Sequence, residues 1–162
     1  MLRWLLLALF IGVCVGAGEQ KKKKEKPQPT SRGWGRNISW VQSYEEGLSK
    51  MVESQKPLMV IHHLDNCSYS QALKKAFVAV KSIQKLAKQD FIMLNVVEDT
   101  GDYNLAPDGF YVPRIVFVDP SMTVRTDITG KYSSRLYTYE PADMRLLATN
   151  MKKAKVLIHS EF

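Results

Sequence analysis

Cysteine is the scarcest residue here, with two among 162 positions, Cys14 and Cys67. So few thiols exclude a disulfide-stapled scaffold and a four-cysteine zinc site. A Cys-x-x-Cys dithiol centre is also excluded, because the position three after Cys67 is Ser70. Histidine is nearly as rare, at three. His62 and His63 are neighbours, and neighbours on a strand point to opposite faces, so at most one faces Cys67 and no three-ligand metal centre is expected. Beyond residue 17 no continuous apolar run approaches the roughly 20 residues a membrane helix needs, so no membrane span is expected. A basic stripe with interleaved aromatics is missing too, which argues against nucleic acid as a partner.

The N-terminal segment, residues 1–17, has Arg3, an apolar run from Leu5 to Val15, and small residues near Gly16 and Ala17. It reads as a cleavable secretory signal, which discounts Cys14 and leaves one thiol in the mature chain. Residues 18–36 hold seven Lys/Arg against two Glu, so the formal net charge of +7 resides mostly there. This block, with Pro27 and Pro29, is expected to be a disordered arm: a solubilising tail or a contact for anionic surfaces. The remaining body, 37–162, is nearly neutral and is expected to form a single domain.

Strand and helix signals alternate along that body. Ile38 to Val41 is short and β-branched, and Tyr44 to Glu53 places Tyr44, Leu48, Met51 and Val52 near one helical face. Leu58 to Ile61 and Phe91 to Val97 are apolar runs of strand length. Helical spacing runs from Cys67 through Leu73, Phe77 and Val80 and continues in Ile83 and Leu86. Arg114–Val118 and Val124–Ile128, joined by Asp119-Pro-Ser-Met122, predict an antiparallel hairpin. Glu140-Pro141 opens a last helix with a stripe of Met144, Leu147, Met151, Ala154 and Leu157. The sum is an α/β fold: a central mixed sheet flanked by helices, closing with a hairpin and a helix.

The strand ending in His63-Leu64 delivers Cys67 to a helix start. A free thiol has a pKa near 8.5, so only about 3% is thiolate at pH 7, whereas a helix N-terminus lowers that pKa. Ser70 sits one turn on and is placed to donate its hydroxyl to the thiolate. It is far too weak an acid to displace a mixed disulfide. Cys67 is therefore expected to attack a client disulfide without releasing itself, leaving release to another thiol. His63 is the candidate for tuning the thiolate. Asn37-Ile-Ser39 and Asn66-Cys-Ser68 both match the glycan acceptor pattern, and the second would smother the thiol.

Several stretches resemble the anterior gradient proteins of the protein disulfide isomerase group: Ser31-Arg-Gly-Trp-Gly35, Lys56-Pro-Leu-Met-Val-Ile-His-His-Leu64, Ser70-Gln-Ala-Leu-Lys-Lys75, Tyr111-Val-Pro-Arg-Ile115 and Tyr137-Thr-Tyr-Glu-Pro-Ala142. The resemblance implies a thioredoxin-like fold, a cis Pro113, and residence in the endoplasmic reticulum lumen with partial secretion. It also implies assistance to secretory clients such as mucins; no cofactor is expected. Where dithiol thioredoxins place a buried acid six residues before the first cysteine, this chain has Ile61, consistent with having no second thiol to deprotonate. Glu46 and Lys50 have the spacing of an intrahelical ion pair; the resemblance implies that they bridge two copies in a homodimer. The end, His159-Ser160-Glu161-Phe162, resembles a retrieval tetrapeptide in its acidic third and apolar last residue, and reads equally as a helix end. Two functions follow as expectations. One is a monothiol folding factor of the endoplasmic reticulum; the other is a secreted or surface interaction module in which the thiol is incidental.

Overall fold

The computed structural model describes residues 30–97 and 101–156. The signal segment, most of the basic arm, Leu157 and the tetrapeptide 159–162 lie outside them. Three strands form the sheet, β1 (Leu58–His62), β2 (Ile92–Val96) and β3 (Arg114–Val118), in the order β2-β1-β3. β1 is parallel to β2, with Leu58 opposite Ile92, and antiparallel to β3, with Ile61 opposite Ile115. All five residues of β1 are buried, as expected of a strand covered on both faces.

Alternation along β1 divides the core in two. Met59 and Ile61 face Trp34, Leu73, Phe77, Phe117 and Met151. Leu58 and Val60 face Val41, Met51, Leu105 and Tyr137. On the second side lies α1 (Tyr44–Ser54). Ser43 caps it by accepting the Glu46 N–H at 3.1 Å, and the Glu46 carboxylate accepts the Gln42 N–H at 2.8 Å. Gly47 lets this helix approach β1: a Cβ there would lie 3.0 Å from Leu58 Cδ1. Met51 is buried as expected, but Val52 turns outward.

The continuous helical spacing after Cys67 resolves into two helices, α2 (Ser68–Ala79) and α3 (Lys81–Asp90). They break at Val80, which is extended at φ −92°, ψ 103°. Neither Gly nor Pro marks the break. Gln84 compensates for it: its backbone N–H donates to Val80 O at 3.1 Å and its side chain to Phe77 O at 3.2 Å. Periodicity alone carries across such a junction because Leu73, Phe77 and Ile83 all enter the same core.

The expected hairpin is only rudimentary. Val124 forms an isolated bridge with Val118, and the Arg125 N–H reaches Phe117 O at 2.8 Å. Arg125 then locks onto Asp127 through two hydrogen bonds of 2.8 and 2.9 Å, and the Thr126 N–H turns back to Val124 O. These local bonds replace the ladder that a second strand would need. Ile128 still reaches the core. The last helix, α4 (Met144–Lys155), follows a single 3-10 turn, Pro141–Asp143, whose Glu140 and Asp143 form a reciprocal capping box. Met144, Leu147, Met151 and Ala154 form its buried stripe.

Residues 30–36, assigned from charge to the arm, are packed. Trp34 is fully buried against Phe77 and His63, and Asn95 and Lys74 donate to the carbonyls of Thr30 and Arg32. Charge counting over a window hid a single tryptophan that anchors the segment.

Candidate functional site

Cys67 is the N-cap of α2, extended at φ −94°, ψ 119°, and its own N–H closes a turn onto Leu64 O at 3.2 Å. The thiol is partly exposed, and the first turn of α2 carries no acidic residue to oppose the positive helix end. Partial burial pushes the Cys67 thiol up, but hydrogen bonds outweigh it: the Ser70 hydroxyl, the Ser70 N–H and the Tyr69 N–H hold it below an ordinary cysteine. Ser70 is itself fully buried, and its oxygen accepts the Leu64 N–H at 3.3 Å. That bond occupies an acceptor position on Ser70 and leaves the hydroxyl proton for sulfur.

His63 is fully buried. Its ring packs edge-on against Trp34 at 5.2 Å, and Nε2 faces Asn95 Oδ1 at 3.5 Å. Burial, chiefly, pulls its pKa down to about 4, so it is neutral at physiological pH and supplies no positive charge to a thiolate. The hydrogen bonds that act on Cys67 come from its own helix instead. His62 is the less expected residue. It is buried opposite Arg114, and neither ring nitrogen has a hydrogen-bond partner among the described residues. Burial and the neighbouring Arg114 pull it down to about 3.

The Val112–Pro113 peptide is cis, as the resemblance implies. A groove of about 700 Å³ joins it to the thiol helix, lined by Tyr69, Ala72, Val112, Pro113, Tyr132 and Arg135 among others. Tyr69 is 72% exposed there. The outer edge of β3 is not open along its length, since Ile115 N–H donates to Tyr137 O at 2.9 Å and Phe117 O accepts from Arg125. The opening lies one step earlier: the Val112 backbone makes no hydrogen bond among the described residues.

Sequence reasoning missed the brace that holds this loop. The Tyr111 hydroxyl donates to Asp108 at 2.8 Å and accepts the Tyr137 N–H at 3.0 Å, while Thr138 donates to Pro113 O at 2.8 Å. The Arg135 guanidinium lies 5.8 Å from the Tyr111 ring centroid. Apart from the local Tyr111–Asp108 bond, these contacts join positions 24 to 26 residues apart and leave no local periodicity. The density of Tyr, Ser and Arg between 132 and 139 is the one available signal.

Glu46 and Lys50 pair with each other inside α1 at 2.6 Å, both partly exposed. Hydrogen bonds to the Gln42 N–H and to Lys50 hold the Glu46 carboxyl below its ordinary value. No group of His, Cys, Asp or Glu among the described residues is arranged to hold a metal ion, and no described helix is long and apolar enough to cross a membrane.

Comparison with known proteins places this geometry. A thioredoxin-like family model matches residues 39–120. The chain is 64% identical to human anterior gradient protein 3 over 141 residues, covering 87% of this chain and 85% of that protein. It is 59% identical to the human anterior gradient protein 2 homolog over 151 residues, covering 91% and 86%. With anterior gradient protein 1 of Xenopus laevis it shares 48% over 178 residues, 97% of each chain. In three dimensions it is similar to a thioredoxin from Thermus thermophilus, at a TM-score of 0.52 and 19% identity, covering 74% of this chain and 88% of that one. That likeness establishes the fold.

Proposed function

The chain belongs to the anterior gradient family of thioredoxin-like proteins, and from that premise we propose that it is a folding factor of the endoplasmic reticulum, partly secreted, acting through one thiol. The observation that carries the reading is Cys67 at a helix start, partly exposed, one turn from the buried Ser70 and held below an ordinary cysteine.

The Cys67 thiolate attacks one sulfur of a client disulfide. The client S–S bond breaks as a new Cys67–S bond forms, the bonding pair leaves on the client's second sulfur, and no net oxidation occurs. Ser70 donates to the attacking sulfur and takes no covalent part. Release follows when the client's freed thiolate, or a small external thiol, attacks the mixed disulfide. The chemistry therefore favours isomerisation and capture over net oxidation. The open backbone at Val112 and the groove beside Pro113 offer an extended client segment a place to lie next to the sulfur. Secretory proteins are the client class; mucins come with the family resemblance. A homodimer through α1 belongs to the same reading, and it requires Glu46 and Lys50 to exchange their partners within the chain for partners across it.

Trapping decides the matter. Alkylating cell lysates should preserve adducts of the full-length chain with secretory clients, absent in Cys67→Ala and dissolved by reductant. Clients that associate equally with Cys67→Ala, without reducible adducts, would transfer the function to non-covalent binding in the Tyr69 groove. Deleting Ser160-Glu161-Phe162 should raise the secreted fraction; an unchanged ratio would reduce the tail to a helix end.

A further inference from the structure

Two asparagines carry the Asn-x-Ser pattern, Asn37 and Asn66. Asn66 and Ser68 are exposed, as Asn37 and Ser39 are, so exposure does not separate the two and their surroundings must. Asn37 and Ser39 are both exposed in a turn-rich stretch, while Ile38 between them points into the core at 6% exposure. Ile38 thus anchors the stretch and leaves the acceptor amide and its hydroxyl partner outside. Among the described residues, the Asn37 side chain makes no hydrogen bond that a modification would break.

Position separates the two. Three residues after Asn37, Trp40 bridges to Met93, whose neighbour on β1 is Met59. The strand runs on from Met59 to His62 before the chain reaches Cys67, about 10 Å further at the usual rise. The attachment point at Asn37 therefore lies toward the start of β1, whereas the thiol follows its end. Asn66, by contrast, is adjacent to Cys67 in the turn entering α2. A substituent there would stand over the sulfur.

We infer that Asn37 is an N-glycan acceptor for a lipid-linked oligosaccharide, and that Asn66 stays unmodified. The inference rests on the secretory residence proposed above. In the transfer, the Asn37 amide nitrogen bonds to C1 of the first sugar as the C1–O bond to the lipid pyrophosphate breaks. The bonding pair departs with the pyrophosphate, the amide gives up one proton to base, and no electrons are gained or lost. The product carries its glycan away from the client groove, where it adds solubility without blocking exchange.

The test uses the full chain expressed in cells with a secretory pathway, read by gel mobility before and after endoglycosidase. Wild type should show a single mobility step that the enzyme removes. N37Q and S39A should both run at the unglycosylated position, S39A retaining the asparagine so that misfolding of one variant does not decide the result. N66Q should keep the step. A P29N change added to N37Q introduces an acceptor pattern upstream and reports whether the chain reaches the compartment. An unshifted wild type beside a shifted P29N/N37Q protein overturns the inference while sparing the secretory reading. Absence of a shift in both overturns the two together. A second wild-type step lost in N66Q overturns the exclusion of Asn66.

Discussion

The buried Ser70 hydroxyl accepts the Leu64 N–H at 3.3 Å, and the same residue holds the Cys67 thiol below an ordinary cysteine. One oxygen thereby ties the end of the strand segment to the start of α2, one turn from the sulfur. The residue in the second position of the Cys-x-x-Ser pattern is thus a structural clamp as well as an electrostatic one.

Ser70→Ala should raise the Cys67 pKa. A hydrogen bond to a charged group is worth about 1.5–3 kcal/mol, so alkylation at neutral pH should slow by about tenfold. The Leu64 N–H loses its acceptor as well, at a cost of about 1–3 kcal/mol in urea stability. Iodoacetamide rates from pH 5 to 10 check the first claim. An unchanged profile would mean that the Ser70 and Tyr69 backbone N–H groups suffice.

Ser70→Cys supplies the missing resolving thiol. Intramolecular attack has a far higher effective concentration than a free thiol, so mixed disulfides should shorten in lifetime and insulin reductase activity should appear. Adducts as persistent as wild type would show that the buried position 70 is unable to reach the bound sulfur.

Stability should fall in mild acid. Burial leads in holding both His62, near 3, and His63, near 4, below the ordinary histidine value, so the unfolded chain binds more protons once the pH drops below about 6.5. Each histidine then costs on the order of 1.4 kcal/mol per pH unit, until the pH reaches its folded value. His62→Phe should halve that slope between pH 6.5 and 4. It should leave neutral-pH stability intact, because neither nitrogen makes a hydrogen bond among the described residues. Urea melts at pH 7.5, 6 and 5 measure both; a slope unchanged by the substitution would refute the assignment to His62.

Tyr111→Phe removes the donor to Asp108 and the acceptor for the Tyr137 N–H. The cost should be about 1–3 kcal/mol, with faster hydrogen exchange at Tyr137 specifically. Exchange that stays slow there would mean that the Asp108–Leu136 bond alone holds the loop.

The sequence by itself determined the fold class, the strand that delivers Cys67, the absence of a second thiol beside it, and the stripe of the last helix. Each is written in residues close together in the chain, where periods of 2 and 3.6 and a cysteine's spacing are readable. Tertiary structure alone decided that Trp34 belongs to the core, that Val80 splits one helical pattern in two, and that Val124–Ile128 leaves the sheet after one bridge instead of continuing as a strand. It also decided that His63 packs in the core against Trp34, and that Tyr111 braces the Pro113 loop. The physical reason is common to all five. Which partner satisfies a polar group or fills an apolar space depends on residues brought together from distant positions, and for those the sequence has no period.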